Sequence, residues 1–176
     1  MISLLVPAAL ATPFFETDRT IAGIPAATTE LYATSPELRV LQNLPSGLQG
    51  VSVRGTDVRV LQNLPRRLKW LDVSDTPVRT LQNLPAGLRA LDVSGTEVRY
   101  LQNLPRGLLA LDVSDTGVRV LQNLPRGLRY LDIRGLDVRG YAPAGTCVVS
   151  DDNSWLERGA VPHPRYCRPV HPECFH

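Results

Sequence analysis

Histidine, cysteine and aromatic residues are scarce in this chain of 176 residues, with three His, three Cys and 6% aromatics. All three histidines and all three cysteines lie after Tyr141, at Cys147, His163, Cys167, His171, Cys174 and His176. No Ser/His/Asp set can therefore be drawn from the body of the chain, which also lacks a glycine-rich phosphate loop. No apolar run approaches the roughly 18 to 20 residues needed to cross a bilayer. A formal charge of +2 is too small to indicate a nucleic-acid binder, and no aromatics interleave with the arginines to stack bases. The apolar N-terminus, Met1 to Ala11, ends in a small-x-small triplet but has no basic stretch ahead of it. It reads as a cap rather than a signal peptide.

What the chain does have is a repeat. Leu-Gln-Asn-Leu-Pro begins at Leu41, Leu61, Leu81, Leu101 and Leu121, a strict twenty-residue period. A period in this range means a stacked array in which each unit contacts only its neighbours. In the unit from Leu81 to Tyr100 the apolar slots are Leu81, Leu84, Leu88, Leu91, Val93 and Val98. Residues 21–40 form a worn copy, with Ile21, Ile24, Pro25, Leu31, Ala33 and Leu38 on corresponding positions. At the other end Arg134-Gly-Leu136 breaks the pattern, and the repeat start does not return after Gly140. The organisation expected is a flank over 1–20, six repeats over 21–140, and a cap with a Cys/His/Pro-rich tail over 141–176.

Within each unit, Leu68-x-x-Leu71-x-Val73 alternates as a short strand does. Pro65 and its equivalents forbid a long helix and favour an extended return path. One strand per twenty-residue coil gives a parallel sheet with the apolar slots turned inward.

The string Leu64-Pro65-x-x-Leu68-x-x-Leu71-x-Val73-x-x-Thr76-x-Val78 resembles the short bacterial class of leucine-rich repeat, best known from type III secreted effectors of the YopM and IpaH kinds. The resemblance implies an α/β right-handed solenoid with six short parallel strands on a concave face, extended convex segments and little helix. One departure is systematic: the family's Asn is Thr56, Thr76, Thr96 and Thr116 here. A Thr hydroxyl still bonds nearby backbone, and the ladder of Asn43, Asn63, Asn83, Asn103 and Asn123 is expected to satisfy backbone elsewhere in the turn. Relatives of the IpaH kind carry a helical ubiquitin-ligase domain with a Cys-x-Asp nucleophile. The cysteines here read Cys147-Val-Val, Cys167-Arg-Pro and Cys174-Phe-His, so ligase activity does not carry over and no enzyme is expected.

Side chains alternate along a strand, so the residues flanking Leu71 and Val73 form three outward columns. The first holds Glu30, Gly50, Trp70, Ala90, Ala110 and Tyr130, and the second Tyr32, Ser52, Asp72, Asp92, Asp112 and Asp132. The third holds Thr34, Arg54, Ser74, Ser94, Ser114 and Arg134. Four stacked aspartates repel one another by about 1 kcal/mol per neighbouring pair even in water, so something must compensate. The serines can donate, and Arg54 and Arg134 can close the ends. Two readings stand open: an acidic strip for a basic partner, or a residue copied by duplication that faces water. Trp70 and Tyr130 bracket a trough floored by Ala90 and Ala110, as binding anchors or as drift. Tyr100 reads as packing between turns.

A second ladder, Arg39, Arg59, Arg79, Arg99, Arg119 and Arg139, lies off the strand. It reads as surface cover paired with Asp57, Glu97 or Asp137. In the tail, Cys167, His171 and Cys174 with Cys147 or His163 allow a zinc site, and two of the thiols allow a disulfide. Reduced cysteines in a C-terminal cap are the reading preferred.

The function expected is a non-enzymatic protein-binding scaffold without cofactor or metal. The resemblance implies a partner protein in a host cell, engaged through the concave face; there the columns offer a basic partner surface Trp70, Tyr130, Asp72, Asp92, Asp112, Asp132, Arg54 and Arg134. It also implies export of a virulence protein from the bacterial cytoplasm. The alternatives are the substrate-recognition part of a split or truncated ubiquitin ligase, and a self-associating surface protein.

Overall fold

A computed structural model describes residues 15–17, 20–140 and 142–151, with side chains from residue 23 onward. These residues form thirteen short strands and no helix. In chain order they are β1 (Phe15–Thr17), β2 (Thr20–Ala22), β3 (Glu30–Tyr32), β4 (Val40–Leu41), β5 (Gly50–Ser52), β6 (Val60–Leu61) and β7 (Trp70–Asp72). There follow β8 (Ala90–Asp92), β9 (Ala110–Asp112), β10 (Val120–Leu121), β11 (Tyr130–Asp132), β12 (Arg139–Gly140) and β13 (Cys147–Val149).

The main sheet has seven strands in the order β13-β11-β9-β8-β7-β5-β3. From β3 to β11 every pairing is parallel and offset by one repeat, with Glu30 opposite Gly50, Trp70 opposite Ala90, and Ala110 opposite Tyr130. This is the six-strand solenoid face that the repeat predicts. A seventh strand extends it: β13 pairs with β11 in register, Tyr130 opposite Cys147 and Asp132 opposite Val149. Opposite ends of the coil carry narrow second sheets, β1-β2-β4-β6 and β10-β12.

The return path is a row of tight turns. In each, a leucine N–H donates to the carbonyl of the proline three residues back, as Leu68 does to Pro65 at 3.1 Å and Leu88 to Pro85 at 3.0 Å. A proline can open such a turn because it has no N–H of its own to place. Inside the coil, Leu68, Leu71, Val73, Val78 and their equivalents are essentially unexposed. The Leu84 slot is the exception, since Leu44, Leu64, Leu84, Leu104 and Leu124 are only partly buried at the edge of the core.

Polar residues of the repeat serve the backbone, though not all in the expected way. Thr56, Thr76, Thr96 and Thr116 each donate Oγ1–H to the carbonyl of the valine three residues earlier, at 2.6–2.7 Å. The Asn ladder acts differently: Asn43, Asn63, Asn83, Asn103 and Asn123 are exposed and hold φ between 50° and 56°. Left-handed backbone is tolerated by Asn far better than by most residues, so the Asn supplies a turn conformation rather than an amide partner. A second left-handed site per repeat is occupied alternately by Gly55, Asp75, Gly95, Asp115 and Gly135.

Cys147 is disulfide-bonded. This corrects the expectation of reduced cysteines. The candidate zinc residues His163, Cys167, His171 and Cys174 lie outside the described residues, as does most of the N-terminal flank. No described helix is long and apolar enough to cross a membrane.

Candidate binding face

The parallel register stacks the second column as a line of carboxylates, Asp72 opposite Asp92, Asp92 opposite Asp112, and Asp112 opposite Asp132. Each is answered by the residue two positions on. Ser74 donates both its N–H (2.9 Å) and its hydroxyl (2.6 Å) to Oδ1 of Asp72. Ser94 does the same for Asp92 at 2.9 and 2.7 Å, and Ser114 for Asp112 at 2.9 and 2.7 Å. The Asp-x-Ser spacing is thus a local clamp in which a serine holds the carboxylate of its own strand.

The ends of the column are held more strongly than its middle. Asp72 also accepts from Ser52 Oγ at 2.9 Å. Asp132, with no exposed side-chain surface, accepts from Tyr130 Oη at 3.0 Å and from Arg134 through Nε and Nη2, the latter at 2.8 Å. Hydrogen bonds to charged groups are about twice as strong as neutral ones, and a buried carboxylate needs them. Arg134 closes its end of the column as expected. Arg54 does not: its guanidinium pairs with Asp75 at 3.1 Å instead.

Among the described residues, Asp92 and Asp112 have only their serines. Burial pushes the Asp92 carboxyl up to about 6, the Ser94 hydrogen bonds opposing and the charges of Asp112 and Asp72 adding to the rise. Burial raises Asp112 as well. Burial and the adjacent Asp132 carboxylate raise the Tyr130 phenol, while the hydrogen bonds that Arg134 donates to Asp132 hold the guanidinium all the more firmly protonated.

The first column forms an apolar cluster of Trp70, Ala90, Ala110 and Tyr130, with Tyr32, Cys147 and Val149 packed against it. The Trp70 indole lies across β5: a Cβ added to Gly50 would sit 2.0 Å from Trp70 Cε2. Gly50 is therefore the space into which the tryptophan folds, and its ring reaches Tyr32 with centroids 5.5 Å apart. Trp70 and Tyr130 bracket Ala90 and Ala110 as the register requires, yet they are only 4% and 5% exposed. Among the described residues, Trp70 Nε1 is the buried side-chain polar atom without a hydrogen-bond partner.

A sheet with one solvated face shows alternating burial. Strands β7 and β11 do not alternate, all three residues of each being buried. Ser74, beyond β7 in the third column, is 1% exposed. The aspartates do not simply face water. This could not be read from the repeat, because alternation names the face a side chain points to and not what lies above it.

Outside this face, Arg39 pairs with Asp57 at 3.1 Å, Arg59 with Asp57 at 3.0 Å, and Arg79 with Glu97 at 2.7 Å. The arginine ladder is exposed throughout. Tyr100 is 74% exposed, so it does not pack between turns; it precedes the inward Leu101 and points away from the coil. A groove of about 490 Å³ lies between Leu104, Arg106, Asn123, Leu124, Pro125 and Arg126, and its arginines are exposed.

No family model and no curated protein matches the chain. Among solved structures it is similar to a Shigella effector leucine-rich-repeat domain, at 27% identity and a TM-score of 0.56 over 65% of this chain and 50% of that one. The fold is a leucine-rich-repeat solenoid. YopM from Yersinia enterocolitica WA-314 is also similar, at 20% identity and a TM-score of 0.49 over 74% of this chain and 43% of that one. The leucine-rich-repeat chain spans about half the length of the Shigella structure. The described residues hold no group of three or more metal-binding side chains.

Proposed function

We propose that this leucine-rich-repeat protein is a non-enzymatic scaffold that holds a partner protein on its concave face, the Asp72–Asp132 column meeting basic residues of that partner. The observation that carries this reading is the in-register line of four carboxylates, whose two middle members have no cationic partner among the described residues. Such a line disfavours folding and is relieved by a cation placed across it. The largely buried Trp70 and Tyr130 form the apolar border of the column, Arg134 closes one end of it, and Arg54 stands beyond the other end on Asp75. The likeness to a Shigella effector domain supports an effector role, with export from the bacterial cytoplasm and a host protein as the partner.

Affinity capture from eukaryotic and bacterial lysates tests the proposal, comparing wild type with the full-length variant Trp70→Ala, Asp92→Lys, Asp112→Lys. A eukaryotic protein retained by wild type and lost by the folded variant is the expected result. Equal capture by both, or capture from neither lysate, removes the concave face as the binding site.

A further inference from the structure

The side of the coil that runs from the proline turn to the concave strand is basic without relief. Residues 61–70, 81–90, 101–110 and 121–130 hold no carboxylate, while the arginines and the lysine among them are exposed. The carboxylates of these repeats all fall in the other half of each unit. On the flank, Arg39, Arg59 and Arg79 reach Asp57 or Glu97. Arg106 and Arg126 pair with no carboxylate among the described residues.

These two arginines also stand where the side differs from the rest of the array. The sixth position of the unit is Ala26, Ser46, Arg66, Ala86, Arg106 and Arg126, so arginines fall on successive turns between the last two alone. The turns stack at about 4.8 Å, with Ala110 opposite Tyr130 fixing the offset at one repeat. Like charges this close repel, and an anion set between them removes the repulsion. The groove of about 490 Å³ opens at the same place, lined by Leu104 and Arg106 of one turn and by Asn123, Leu124, Pro125 and Arg126 of the next. Its deeper part is apolar, Pro125 being buried and Leu104 and Leu124 half-buried. A cavity of this size suits a small organic molecule.

The lining selects the ligand. A guanidinium is a planar fork of N–H donors that fits the oxygens of a carboxylate or a phosphate. One carboxylate satisfies one such fork. A phosphomonoester presents three acceptor oxygens and nearly two negative charges at neutral pH, enough for a fork on each side.

We propose that this groove is a phosphomonoester site, with the phosphate held between Arg106 and Arg126 and the organic group laid against Leu104, Leu124 and Pro125. It lies outside the concave face and stands independently of the partner-binding reading.

The probe is phenyl phosphate, titrated calorimetrically into the full-length protein at low salt. One saturable site is expected. Phenyl sulfate, of the same shape but with a single charge, should bind about tenfold more weakly. Arg106→Ala and Arg126→Ala should each weaken phenyl phosphate by about tenfold, and far-ultraviolet circular dichroism should not change because both side chains are exposed. Arg66→Ala is the control: it removes the same charge from the same repeat position, on a turn whose neighbours carry Ser46 and Ala86, and should leave the affinity unchanged. Absence of saturation overturns the proposal. So does equal affinity for phenyl sulfate, and so does a loss on Arg66→Ala as large as on Arg106→Ala, which would mean a diffuse basic surface. Vesicles of phosphatidylcholine with phosphatidylinositol phosphate separate the two sources of the ligand. Sedimentation of wild type but not of Arg106→Ala supports the site with a lipid headgroup in it, and phenyl phosphate binding without vesicle association supports it with a soluble phosphomonoester.

Discussion

Two charged ladders run along this solenoid, four aspartates from Asp72 to Asp132 and six arginines from Arg39 to Arg139, and they live in different media. The aspartates of the concave face are half or wholly buried, clamped by serines and, at one end, by an arginine. The arginines of the flank are exposed, and Arg39, Arg59 and Arg79 pair with Asp57 and Glu97 at the solvated surface. In the repeat the two look alike, each a single polar letter copied every twenty residues. Their energetics differ because desolvation multiplies the cost of an unpaired charge, and water screens it away. Regularity of sequence therefore does not mean equality of contribution.

The comparison breaks most visibly at its buried end. Arg134→Ala leaves Asp132 unexposed with only Tyr130 Oη and a backbone N–H, and breaking a buried pair costs about 3 kcal/mol or more. Urea unfolding should show a loss of that order, and a change below about 1 kcal/mol would mean that Asp132 is hydrated after all. Next comes Gly50→Ala, whose Cβ would overlap the Trp70 indole. Forcing a buried ring to move costs about 1–3 kcal/mol, and the Trp70 emission should shift to the red as the ring is expelled.

The middle of the column should respond with the opposite sign. The Asp92 carboxyl, raised from its ordinary 3.8 to about 6, binds its proton more tightly folded than unfolded. Its contribution to stability is therefore fully present below about pH 3.8 and lost as the pH rises through about 6. Asp92→Asn keeps an acceptor for Ser94 and removes the charge, so it should stabilise the protein by about 1–2 kcal/mol at pH 7. The gain should shrink towards zero near pH 4. A pH-independent difference between the two proteins would locate the effect elsewhere. The smallest change belongs to the flank: Arg79→Ala breaks an exposed pair with Glu97 and should cost less than about 0.5 kcal/mol, with the remaining effect reduced by salt. A loss as large as that of Arg134→Ala would erase the distinction between the ladders.

The same division separates what was legible in the letters from what was not. The six stacked strands, their register and the inward leucines follow from Leu-x-x-Leu-x-Val and the proline turns. The serine clamps follow from Asp-x-Ser spacing once the strand is placed. The seventh strand, Cys147–Val149, escaped notice because its turn is shorter than a repeat and carries none of the repeat's letters. The left-handed alternation of Gly95 with Asp75 and Asp115 had a visible signal, a position that accepts only Gly or Asp from residue 55 to residue 135. Arg54 reached Asp75 rather than the column, a choice among neighbours that a one-dimensional pattern does not rank.

The sequence by itself determined the coil, because a strict period with inward leucines has one way to bury them: unit against unit. It also determined which side chains share a face, since alternation along a strand is local geometry. Only the tertiary structure decided how deep that face lies. Burial is a sum over atoms far apart in the chain, and it is burial that turns Asp132 into a paired interior charge, lifts the Asp92 carboxyl and closes water off from Trp70.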